Sequence, residues 1–273
     1  MPELTIQQYP VTPGLGRHLV RDPRSLAYQR AYDGQPLHPT AWEPPLPVLD
    51  QTNLIAQGIH TSQAYGDTPD VDALGSCTGN AATALLSIIL DKDRAYTAGL
   101  DTSSATEAQR FAIDLYAHAT TLDQWHQYTW PSVDCGSSGL GIAKALRARG
   151  LIDQYGHATT AEQLCMLLQT GPVLMGLPWY SAFTQTTDRD GFIDATPGWL
   201  GSPLEGGHEV CVIALEAVAF GEEGRVLPDH TVLRFRNAWN SSWGDRGDGR
   251  MRLSTYIALR HEIDIVQPRL EAP

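Results

Sequence analysis

Hydrophobic and polar positions divide the chain into unlike stretches. Residues 1–50 show little periodicity and are broken by Pro10, Pro13, Pro23, Pro36, Pro39, Pro44, Pro45 and Pro47. Leu15, Leu19, Leu26, Tyr28 and Tyr32 are their scattered apolar anchors. This predicts an extended arm, residues 1–70, that wraps a domain. From Gly75 the pattern changes: Gly75-Ser76-Cys77-Thr78-Gly79-Asn80 leads into an apolar run, Ala81 to Leu90. A buried helix follows, with Cys77 in its first turn. Further helices are expected from Ala105 to Ala119, with Phe111, Leu115 and Tyr116 on one stripe, and from Gly139 to Arg149, closed by Gly150. Thr160 is a suitable N-cap for another, Ala161 to Gln169.

After Gly171-Pro172 the period shortens. Val173 to Leu177, Glu209 to Ala217, Thr231 to Asn237 and Gly249 to Leu253 read as strands, the last before a helical turn. Helices first and strands second predict an α+β protein. Its expected parts are the arm, a helical lobe over 71–160 and a β-rich lobe over 161–273.

With 273 residues, 42% of them hydrophobic, the chain can bury a sizeable core. Its net charge of −12 argues against a sequence-independent hold on nucleic acid, which needs a basic face. No run of about 18 apolar residues predicts a membrane span. The start, Met1-Pro2-Glu3-Leu4-Thr5, lacks the basic and apolar regions of a secretion signal, so a cytoplasmic location as synthesised is expected. Cys77, Cys135, Cys165 and Cys211 form no CxxC pair, and the histidines have no ligand-like spacing. Neither a disulfide scaffold nor a metal or other cofactor is expected.

Three segments carry candidate chemistry. Cys77 at a helix start meets backbone N–H groups and a dipole that favour a thiolate and can face an oxyanion. His208 follows Gly206-Gly207 at the head of the most strand-like segment. Asn237 opens Asn237-Ala238-Trp239-Asn240, and its amide oxygen suits the far N–H of a histidine. Each alone has a plainer reading, as a core cysteine, a satisfied histidine and a polar turn.

Together, Leu74-Gly75-Ser76-Cys77-Thr78-Gly79-Asn80, Gly206-Gly207-His208-Glu209-Val210 and Asn237-Ala238-Trp239-Asn240…Trp243-Gly244-Asp245 resemble the papain-like cysteine peptidases, in particular their bacterial and phage-type branch. Order agrees, and the separations are close to the roughly 130–150 residues between a papain-type nucleophile and its partners. Asp134-Cys135-Gly136-Ser137-Ser138-Gly139 resembles that family's glycine-rich wall, and Gly171-Pro172-Val173-Leu174-Met175-Gly176 its sheet-opening strand.

The resemblance implies a two-lobed fold, helical lobe plus antiparallel sheet or barrel lobe with a cleft between. It implies Cys77 as nucleophile, His208 as base and Asn237 as orienter in acyl transfer on a polypeptide. Gly136, Ser137, Gly176, Gly206, Gly207 and Trp239 would line the substrate's path. Glycines at 176 and 206 would leave the main side-chain pocket wide, fit for an aromatic or large aliphatic group, while the acidic chain favours basic neighbours in the substrate. In the family a glutamine six residues before the cysteine completes the oxyanion hole, and here that position is Val71. A weakened peptidase is therefore expected, with Gln63, Gln57 or Asn80 as substitute donors. The rivals are a thiol hydrolase of peptidoglycan or other amide bonds, and a binding or structural protein that has lost turnover.

Overall fold

The computed structural model describes residues 12–28, 36–66, 68–124, 128–186 and 190–270, so parts of the arm lie outside it. Helices are α1 Thr61–Tyr65, α2 Cys77–Ile89, α3 Lys92–Thr97, α4 Ala105–Leu122, α5 Gly139–Ala148, α6 Ala161–Leu168, α7 Ser181–Thr184 and α8 Leu253–Leu259. Side-chain caps set several starts. Ser104, Ser138 and Thr160 accept from the backbone N–H of Glu107, Gly141 and Gln163 at the heads of α4, α5 and α6. Gly150, at φ 67°, ends the turn after α5. Among the described residues no helix is long and apolar enough to cross a membrane.

The strands are β1 Thr40–Ala41, β2 Gln154–Ala158, β3 Val173–Tyr180, β4 Leu204–Ala217, β5 Val232–Arg236, β6 Asp248–Arg252 and β7 Asp264–Arg269. They form one antiparallel sheet in the order β2-β7-β3-β4-β5-β6, with β1 from the arm paired to the far half of β4. Among the described residues the sheet stays open and does not close into a barrel.

Because successive side chains of a strand point to opposite faces, β4 is sorted residue by residue. Cys211 and Ile213 enter the core shared with α2, α4 and α5, and Val210 and Val212 enter the core inside the sheet lobe. His208 therefore belongs to the sheet-lobe face and Glu209 to the helix-lobe face. The two lobes meet over β4 and β3.

Helix α2 packs closely on α4 because Gly79 has no side chain: a Cβ there would run into the carbonyl of Ala112. Gly79→Ala should cost about 1–3 kcal/mol, seen as a lower urea midpoint with an unchanged slope; an unchanged midpoint would contradict this packing.

Candidate active site

Cys77 is the first residue of α2 and is fully buried. His208 and Asn237 come from neighbouring strands, His208 within β4 and Asn237 just past the end of β5. His208 Nε2 lies 2.7 Å from Asn237 Oδ1. That oxygen also accepts the Ala238 N–H at 2.8 Å, which identifies it as an acceptor. Nε2 is then the protonated nitrogen of neutral His208, and Nδ1, which has no hydrogen-bond partner among the described residues, carries the lone pair. Trp179 meets the imidazole edge-on and Trp239 lies tilted against it, both with ring centroids at 4.8 Å. These rings keep water from the His208–Asn237 bond.

Burial governs both titrating groups. The Cys77 thiol is pushed up to about 12, first by burial and then by the Glu209 carboxylate, against the pull of the Glu209, Gly16 and Thr78 amides. His208 is pushed down to about 4 by burial, which its bond to Asn237 only partly offsets. Thiol and imidazole are both neutral in this arrangement.

The arm contributes to this burial at Cys77, where Gly16 lies beside the thiol. After a turn at Gly14, φ 79°, residues 15–18 cross the cleft as an extended segment tied to both lobes. The Gly16 and Arg17 N–H groups donate to Gly207 O at 3.2 and 3.0 Å, on the sheet side. His18 N–H donates to Ser137 O at 2.8 Å, and Ser137 N–H to Gly16 O at 2.7 Å, on the helical side. The approach requires glycine on both sides: a Cβ on Gly16 would run into the Gly75 carbonyl, and one on Gly207 into the Arg17 carbonyl. Gly206 faces Leu15.

A residue missed in the sequence completes this picture. Gln51 is fully buried, and its side chain sits over the first turn of α2, where Asn80 Nδ2 donates to its Oε1 at 3.2 Å. Asn80 is itself oriented by Gln109 Nε2, at 2.8 Å from its Oδ1, and by its own Nδ2 bonds to Ser76. Gln51 Nε2 is thereby turned outward and donates to Gly14 O at 2.7 Å, an oxygen that also accepts from Trp239 Nε1 at 3.0 Å.

Val71 is elsewhere, packed with Leu54, Ile59 and Leu74. Gln57 spends its amide on the carbonyls of Asp50 and Asn53, and Gln63 is exposed. The missed signal is the dipeptide Asp50-Gln51, separated from Leu74-Gly75-Ser76-Cys77 by residues 52–73. Backbone bonds close that gap: Leu74 N–H donates to Gln51 O, and Gln51 N–H to Ala238 O, each at 3.0 Å.

The wall Gly136-Ser137 is held from behind by Asp123. The Ser137 hydroxyl donates to Asp123 Oδ2 at 2.6 Å, and the Ser138 hydroxyl donates to Oδ1. Gly136 takes φ 69° and gives its N–H to the Tyr116 hydroxyl at 3.0 Å. At Gly176 the structure corrects the expectation of an open apolar pocket, because Arg17 and Glu209 fill the space that a side chain there would take.

Against this geometry, no protein-family model and no curated protein matches the chain. Solved structures do. The crystal structure of xylellain, a cysteine protease from Xylella fastidiosa, aligns over 98% of this chain and 99% of its own, with a TM-score of 0.62 and 15% identity. The fold is that of the papain-like cysteine proteases. Weaker likenesses are to digestive procathepsin L 3 of Tenebrio molitor larval midgut (TM-score 0.48, 14% identity, 94% of this chain and 76% of that one) and to bromelain from Ananas comosus (0.41, 13%, 87% and 100%). At these identities the likeness is one of fold.

Asp123 gives this cleft a pH dependence. Burial raises its carboxyl from 3.8 to about 7, against the two serine hydroxyls. The folded state thus binds this proton more tightly than the unfolded one. Its stabilising contribution is complete below about pH 4 and is lost as pH rises to about 7. The stability of the wild type relative to Asp123→Asn should therefore fall between pH 4 and pH 7, by on the order of a few kcal/mol. Urea denaturation of both proteins across that range is the measurement, and a constant difference would contradict it.

Proposed function

We propose that this protein is a cysteine peptidase with Cys77 as nucleophile, His208 as proton shuttle and Asn237 as the residue that orients it. The observation that carries this reading is the 2.7 Å bond from His208 Nε2 to Asn237 Oδ1, which leaves Nδ1 as the free base. In the proposed reaction Nδ1 takes the Cys77 proton as sulfur adds to the peptide carbonyl. The resulting oxyanion is met by the Gln51 side-chain amide and the backbone at the head of α2. Collapse expels the amine, which takes the proton from His208. His208 then deprotonates water, which attacks the thioester and releases the carboxylic acid and the thiol.

A polypeptide is the substrate class that the cleft supports, because it already binds one. The arm's backbone pairs with Gly207 on one side and Ser137 on the other, and its Gly14 carbonyl occupies the Gln51 donor. In this reading the arm holds the enzyme at rest, with Trp239, Gly206 and Gly207 lining the covered path.

Gly16→Ala should push the arm out of the cleft and raise cleavage of casein at least tenfold over wild type. Cys77→Ala in that background should abolish it. Gln51→Ala in the same background should lower kcat by about 10²–10³. Release of fragments from purified cell walls without casein cleavage would overturn the peptidase in favour of a wall hydrolase. No cleavage of either, with no adduct at Cys77 from an epoxide inhibitor, would overturn the catalytic reading altogether.

A further inference from the structure

Strand register puts an unusual row of residues on the helix-lobe face of the sheet. Gly176 of β3 pairs with Glu209 of β4 on one side and with Asp264 of β7 on the other. Leu174 and Val266, two residues away in their strands, lie in the helix-lobe core, so Gly176 and Asp264 share the face of Glu209. The row reads acid, glycine, acid. A notch is left between two carboxyl groups because the middle residue has no side chain.

The notch has a glycine roof as well. A Cβ on Gly139, the first residue of α5, would come within 2.9 Å of Asp264 Oδ2 and 3.4 Å of Glu209 Oε1. Both acids are almost wholly buried, at 2% and 1% exposure. Among the described residues neither oxygen of Glu209 has a hydrogen-bond partner. Asp264 accepts from His157 at 3.1 Å and has Arg21 at 3.7 Å. Two apolar-core positions spent on carboxyl groups, one of them unsatisfied, call for a cation.

The arm supplies one. Arg17 is 2% exposed and reaches over Gly176, where its Nε and Glu209 Oε2 each lie 2.5 Å from the place a Cβ would take. Its guanidinium is desolvated, which disfavours the charge, and the fields of Asp264 and Glu209 oppose that loss. Gly16 lies beside the Cys77 thiol, so Arg17 is the next residue along an extended chain that crosses the nucleophile.

We infer that the notch between Glu209, Gly176 and Asp264 is a specificity pocket for a guanidinium or ammonium side chain of the polypeptide substrate, with Arg17 as its resident occupant. The inference rests on the peptidase reading for the word substrate, and its test keeps the two apart. When the arm leaves, two buried acids lose their cation, and an incoming chain restores it only with a basic side chain at that place. An apolar side chain there leaves the carboxyl groups uncompensated.

The test uses the full chain with Arg17→Ala and Cys77→Ala, which vacates the pocket and cannot turn over. Acetylated, amidated hexapeptides that differ only in one central arginine or norleucine are titrated by calorimetry. The arginine peptide should bind at least tenfold more tightly. Adding Glu209→Gln with Asp264→Asn should bring the two peptides within about twofold. Should the alanine chain not melt cooperatively, Arg17→Met, which keeps the aliphatic stem, replaces it. Equal or tighter binding of the norleucine peptide, or an arginine preference that survives loss of both acids, would overturn the pocket. Failure of the chain with Arg17→Ala and Cys77 intact to cleave a peptide that it binds with this preference would count against the peptidase and leave the pocket standing.

Discussion

The backbone-to-backbone contact where the arm crosses the cleft is the constraint on which the rest depends. Gly16 lies against the Gly75 carbonyl and Gly207 lies against the Arg17 carbonyl, so two glycines let one strand pass between the lobes. From that contact follow the cover over Cys77 and its raised thiol. The occupation of the Gln51 amide by Gly14 O follows too. A side chain at either glycine would separate the lobes from the arm and change all of these at once.

The long strand β4 divides the labour. His208 and Glu209 are neighbours in sequence and opposites in space, because strand side chains alternate. His208 turns into the tryptophan cage with Asn237 beside it, while Glu209 turns toward the helices and joins Asp264 around Gly176. The proposed base and the proposed side-chain pocket thus lie on opposite faces of one strand.

Much of this was legible in the sequence, and the reasons differ by element. The apolar run after Cys77 and the caps at Thr160 and Gly150 placed helices to within a few residues, since local chemistry decides them. Strands β2 and β7 were not legible: Gln154, His157, Gln267 and Pro268 break the apolar pattern, and only pairing with each other and with β3 makes them strands. Gln51 was invisible for a related reason. A motif read by spacing fails when residues 52–73 intervene, and only the bonds from Leu74 and to Ala238 bring Asp50-Gln51 back to the head of α2. The acidic row could not be read either, because register across three strands lies outside any local pattern.

The central claim is that Cys77 is a reactive thiol held dormant by its own arm, and the pH dependence of its alkylation tests this most directly. Wild type and Gly16→Ala are treated with iodoacetamide from pH 6 to pH 10, and modification is read peptide by peptide by mass spectrometry. The account predicts a slow wild-type rate still rising at pH 10, as a thiol near 12 requires, and a faster rate for Gly16→Ala that levels off at lower pH. A wild-type rate that is already fast and flat by pH 8, unchanged by Gly16→Ala, would contradict it.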